Sequence, residues 1–134
     1  MIDRLNEIFS LVAEQVRATH PDTTITGEFN RSESRFPVVT LDEIQNISVD
    51  RLEDSSGEEK FAGVTYRLQV SSNKISGKKQ ESRSIFATAD AIMRSLGLHR
   101  VTYTTTPEIY ESTVYSITAT YEATIDRDGT VYRR

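Results

Sequence analysis

From Ile2 onward the apolar residues Ile2, Leu5, Ile8, Phe9, Val12 and Val16 recur every three or four positions. That spacing places them along one stripe of a helix running from Ile2 to Thr19. His20-Pro21 closes it, because a residue before proline is pushed out of the helical region. The period then changes. Thr23 to Phe29 is β-branched and polar by turns and predicts a strand, with Gly27 marking a bulge or a close backbone approach. Asn30 to Arg35 reads as a turn. Phe36-Pro37-Val38-Val39-Thr40-Leu41 begins a further strand whose proline points to an edge or a strand start, and Asp42 to Leu52 continues extended with an irregularity near Asn46.

The clearest signal lies between Val64 and Leu96. Val64, Tyr66, Leu68 and Val70 alternate with polar Thr65, Arg67 and Gln69, as in a strand buried on one face. A basic loop, Ser72 to Lys79, follows. Ile85, Phe86, Ala89, Ile92, Met93 and Leu96 then recur at helical spacing, with Glu81, Arg83, Asp90 and Arg94 on other faces and Gly97 placed for a left-handed cap. Leu98-His99-Arg100 reads as a connection to a strand from Val101 to Thr106, ended by Pro107. Tyr115, Ile117, Ala119, Tyr121, Ala123 and Ile125 alternate with polar residues in a long strand. Asp126-Arg127-Asp128-Gly129 is a hairpin turn, and Thr130 to Arg134 returns as a short strand with a basic end.

These elements predict a single α+β domain over residues 1–134, in the order α-β-β-β-α-β-β-β. Its twisted sheet is mainly antiparallel, or mixed if the strands flanking the second helix are parallel neighbours in a right-handed crossover. Both helices pack on one face. Ile85, Phe86, Ile92 and Leu96 are expected against Val64, Tyr66, Leu68, Val70, Tyr115, Ile117 and Tyr121, since two apolar stripes in one small domain bury each other.

At 134 residues and 37% hydrophobic, the chain supports one domain with a core. Without cysteine it has no disulfide framework and no thiolate metal site. No apolar run approaches the roughly 18 residues of a membrane span, and no signal pattern is visible, so a protein that stays in solution is expected. A net charge of -4 argues against bulk attraction to nucleic acid or anionic membrane.

Candidate chemistry is sparse. The strand, basic loop and helix invite comparison with a phosphate-binding loop, but Ser72 stands at the first glycine position and Lys79 where the magnesium-binding hydroxyl belongs. His20 and His99 lack partners at ligand spacing, so no metal is expected. There is no thiol and no nucleophile elbow, and the pairs Asp42-Glu43 and Glu58-Glu59 do not form a tuned dyad. No cofactor and no catalysis are expected. The tyrosines are candidate stacking platforms for single-stranded nucleic acid, yet Tyr115 and Tyr121 share an apolar face, where burial with the phenol at the rim is expected.

The charged loops carry more. Lysines in a helix's first turn oppose its macrodipole, so something other than helix stability favours Lys78 and Lys79 there, and an acidic partner surface is a candidate. The segment Glu53 to Lys60 reads as an acidic hairpin loop, either a solvated tip or a complement to that basic loop. In a ring, Glu58 and Glu59 of one subunit would meet Lys74, Lys78 and Lys79 of the next, head to tail.

Three runs carry a resemblance: Phe36 to Asn46, Tyr66 to Lys74 with Ser76-Gly77-Lys78-Lys79, and Tyr121-Glu122-Ala123 through Asp128-Gly129-Thr130-Val131-Tyr132-Arg133-Arg134. In order, and across about three quarters of the chain, they resemble the tail terminator, or head-to-tail joining, family of long-tailed phages of Gram-positive bacteria. The resemblance implies a structural protein of the virion, assembled in the host cytoplasm. There it forms a hexameric ring at the head-proximal end of the tail. The ring caps the tail tube, ends tail polymerisation and offers a docking face to the head connector. The implied partners are copies of itself, the tail tube protein and a head-completion or connector protein, with no membrane and no sequence-specific nucleic acid. Lys74, Lys78, Lys79, Glu58, Glu59, Arg133 and Arg134 are the candidate oligomer or partner interface. A head-completion or connector component of the same neck is the nearest alternative. A single-stranded nucleic-acid-binding module and a small enzyme are more distant ones.

Overall fold

The computed structural model describes residues 4–27, 37–48, 61–73, 76–105, 115–126 and 131–132. Helix α1 spans Leu5–Thr19 and helix α2 Lys78–Ser95. The strands are β1 Thr24–Thr26, β2 Val38–Ser48, β3 Phe61–Ser72, β4 His99–Thr105, β5 Tyr115–Asp126 and β6 Val131–Tyr132. The order along the chain is the expected one. Ile2, the acidic segment with Glu58 and Glu59, Lys74, the turn at 127–129, Arg133 and Arg134 lie outside the described residues.

The sheet runs β1-β2-β3-β5-β4, with β6 also paired to β5. It is mixed, but for a different reason from the one expected. The parallel neighbours are β1 and β2, in register from Thr24 opposite Val38 to Thr26 opposite Thr40. Strands β3 and β4, on either side of α2, do point the same way, since each is antiparallel to β5, but β5 lies between them. Pairing strength accounts for this. β5 matches β3 over its whole length, from Phe61 opposite Asp126 to Ser72 opposite Tyr115, whereas β4 is only seven residues long and largely exposed. The two longest ladders therefore sit together at the centre. β4 begins at His99, so His99 and Arg100 belong to a strand and not to a connection.

Irregularities appear where the polar pattern breaks. The β2–β3 register shifts between Glu43 and Gln45, two residues before the expected position, and leaves Ile44 exposed. A second shift between Arg100 and Thr102 leaves Val101 exposed on β4.

One face of the sheet is the core. Val39, Leu41, Val64, Tyr66, Leu68, Val70, Ile117, Ala119, Tyr121 and Ile125 are buried there beneath Ile8, Val12 and Val16 of α1 and Ile85, Phe86, Ala89 and Met93 of α2. Ile92 and Leu96 pack at its margin, partly buried. The end of α2 is capped as its glycine predicts. Gly97 has φ 89°, its N–H donates to the Arg94 carbonyl, and the Leu98 N–H donates to the Met93 carbonyl. This is the Schellman arrangement, and Leu98 and Met93 are both buried, which supplies its usual apolar contact.

Phe86 joins the core to the β4 edge, its ring meeting Tyr103 edge to face at 5.2 Å between centroids. Phe86→Ala should destabilise the fold by about 3 kcal/mol, through lost transfer energy and a residual cavity. Urea titration checks this, and an unchanged midpoint would show that α2 does not hold the sheet.

Candidate interaction surface

The expected interface divides into a described part and an undescribed part. Lys79 is exposed in the first turn of α2, and Lys78 opens the same helix. Gly77 is the N-cap, with φ 91° and no side chain to satisfy the first N–H groups. The helix start therefore carries lysines at its positive end without a capping oxygen, the electrostatically disfavoured arrangement. Glu81 offsets part of this from the first turn, while its Oε1 accepts a 2.7 Å hydrogen bond from Ser72 Oγ at the end of β3. Beside it Gly77, Lys79, Gln80, Arg83 and Ser84 line a shallow depression of about 550 Å3. Arg83 thus extends the basic surface by a helical turn. Neither cation has an ion pair among the described residues.

The carboxylates of α2 are turned inward. Glu81 is held by Ser72. Asp90, expected on a polar face, is instead buried. Its Oδ1 accepts a 2.5 Å hydrogen bond from the Tyr121 hydroxyl and pairs with Arg100 Nη1 at 3.3 Å. Tyr121 is fully buried, so its phenol is satisfied inside the core and not at a rim. Arg100 is the residue opposite Tyr121 in the β4–β5 register, and its guanidinium lies 5.7 Å from the centroid of the Tyr103 ring. Asp90 lies four residues after Phe86 and three before Met93, hence on the buried stripe, and that spacing was the available signal. With both acids engaged, the exposed charges of α2 among the described side chains are the cations Lys79, Arg83 and Arg94.

No described helix covers the opposite face of the sheet. Across four strands Asp42, Arg67, Thr120 and Thr102 form one row, with Arg67 Nη2 3.3 Å from Asp42 Oδ2 and the two threonine hydroxyls 2.7 Å apart. The next row is Gln45, Thr65, Glu122 and His99. Tyr66 and Tyr121 lie on the covered face, so they offer no stacking platform for bases.

Comparison with known proteins finds no family model that matches the chain and no significant match among curated proteins. What the geometry defines is a two-layer α+β domain with a polar sheet face and a basic outer surface on its second helix. Among the described residues no three His, Asp or Glu side chains converge as a metal site, and no helix is long and apolar enough to cross a membrane.

Burial, together with the bond to the Asp90 carboxylate, holds the Tyr121 hydroxyl far above the ordinary tyrosine range. In the unfolded chain this phenol ionises near pH 10, while in the folded protein it keeps its proton. The unfolded state then binds fewer protons, so this contribution is complete below about pH 10 and declines as pH rises above it. Stability measured by urea unfolding should fall more steeply between pH 9.5 and 11 in the parent than in Tyr121→Phe. At pH 7 Tyr121→Phe should itself be less stable by about 1–3 kcal/mol, because a buried carboxylate loses a donor. Equal alkaline slopes would show that the phenol does not titrate with unfolding.

Proposed function

We propose that the chain is an assembly protein of a long-tailed phage neck, a tail terminator that closes the tail tube as a homo-oligomeric ring and forms the joining face to the head connector. The observation that carries this reading is where the three resembling runs fall. Phe36 to Asn46 enters β2, Tyr66 to Lys74 enters β3, and the run from Tyr121 enters β5 and β6. Far apart in sequence, they are consecutive neighbours in the sheet, so the likeness covers one structural unit rather than scattered positions. A further support is that Lys79 and Arg83 at the start of α2 are exposed and have no ion pair among the described residues, where helix electrostatics disfavour positive charge.

Within this reading the ring is a hexamer, its partners are its own copies, the tail tube protein and the connector, and it acts without catalysis at the head-proximal end of the tail. Lys74, Lys78 and Lys79 take part in a contact with the acidic segment of a neighbouring subunit or with the joining partner. Each exposed pair contributes under about 1 kcal/mol, so the contact works through several charges together and through steering during encounter.

The double variant Lys78→Glu, Lys79→Glu should remain folded by circular dichroism yet fail to terminate tails. Electron microscopy of an assembly reaction should then show tails of uncontrolled length beside separate heads. Infectious particles at the parent yield would overturn the contact, and normal tails assembled in the complete absence of the protein would overturn the function.

A further inference from the structure

A second basic site lies at the opposite end of α2. Arg94, Leu98, His99 and Arg100 line a cleft of about 170 Å3 between the end of the helix and the start of β4. We propose that this cleft binds one oxyanion group, a phosphate or a carboxylate, held by Arg94 and Arg100. The inference does not depend on the phage reading.

The first reason is the charge balance at the cleft. Arg94 is exposed and has no ion pair among the described residues. Arg100 engages Asp90 through Nη1, and a guanidinium has five N–H donors, so this pairing leaves donors for a ligand. On the helix-covered face the acid is Asp90, which is buried and has its Oδ1 already shared by Tyr121 and Arg100, while Glu122, opposite His99 in the ladder, belongs to the other face of the sheet. Arg94 and Arg100 against Asp90 therefore leave one unit of positive charge on the helix-covered face.

The second reason concerns the helix terminus. The end of a helix ordinarily presents free carbonyl oxygens, which repel anions and compete for arginine donors. Here Leu96, Gly97 and Leu98 donate their N–H groups to the carbonyls of Ile92, Arg94 and Met93. Three carbonyls of the last helical turn are thereby occupied. Leu98, buried in the core, forms an apolar wall that strengthens a charge-assisted bond by excluding water from one side. Two guanidinium groups beside one small cleft suit the forked geometry of a phosphate or carboxylate.

The test is a titration followed by 1H–15N NMR at constant ionic strength, with inorganic phosphate in one arm and a blocked peptide copying residues 53–59 in the other. Saturating shifts of the amides from Gly97 to Val101 are expected in at least one arm. Phosphate alone would assign the site to a free or phosphate-bearing ligand, and the peptide alone to an acidic protein segment. In either case Arg94→Gln should weaken binding by about tenfold or more, the loss of one charge-assisted contact, while Arg83→Gln binds like the parent. Arg94 is exposed, so its variant should keep the parent's denaturation midpoint. Shifts that do not saturate in both arms, or that persist unchanged in Arg94→Gln, would overturn the proposal.

Discussion

Twelve consecutive residue pairs between β3 and β5 are the constraint on which the rest of this structure depends. Side chains alternate strictly along a strand, so slipping this register by one residue would turn either Tyr66, Leu68 and Val70 or their β5 partners toward solvent. The ladder instead lines up Val70 with Ile117, Leu68 with Ala119 and Tyr66 with Tyr121, and β2 adds Val39 and Leu41 to the first two rows. That produces a continuous apolar surface, and both helices exist as stable elements largely because they cover it. A lone helix as short as α1 is marginal in water, and its packing stripe supplies what its propensity does not.

The same register sets the polar chemistry of the core. A tyrosine hydroxyl cannot be buried without a partner at small cost, and Tyr121 points its hydroxyl toward α2. Asp90 meets it there, and Arg100, opposite Tyr121 in the ladder, provides the countercharge for the carboxylate. Three residues from a helix and two strands are thus fixed relative to one another by one buried bond and one ion pair. Removing a member leaves the others under-satisfied, which is how such a network ties helix position to sheet register.

This inward use of acid has an outward consequence. The chain carries a net charge of -4, yet the exposed charges of α2 among the described side chains are cations, because Glu81 is bound to Ser72 and Asp90 to Tyr121. Charge has been segregated by packing and not by composition. The helix consequently presents Lys79 and Arg83 at one end and Arg94 at the other, 11 to 15 residues apart and hence about 16–22 Å along the axis. The two ends are separate features. The first lies beside an open depression suited to a partner surface, the second beside a small cleft suited to a single group.

The sequence alone determined the elements and their order, because period-two and helical spacing report burial locally. The alternation from Tyr115 to Ile125, the stripe from Ile85 to Met93 and the cap at Gly97 each need no knowledge of a distant residue. The start of β4 was blurred because exposed His99 and Arg100 carry no apolar alternation. Tertiary structure decided which strands are neighbours, since a helix between β3 and β4 is compatible with direct pairing or with another strand between them. Only the competition for the long β5 edge selects the second. It also decided the fate of individual polar residues. The spacing of Asp90 from Phe86 and Met93 puts it on the buried stripe, but its partners Tyr121 and Arg100 arrive from strands distant in sequence, and no local pattern names them. For the same reason the cleft formed with Arg94 was not legible from spacing, because its walls come from the end of a helix and the strand that follows the turn.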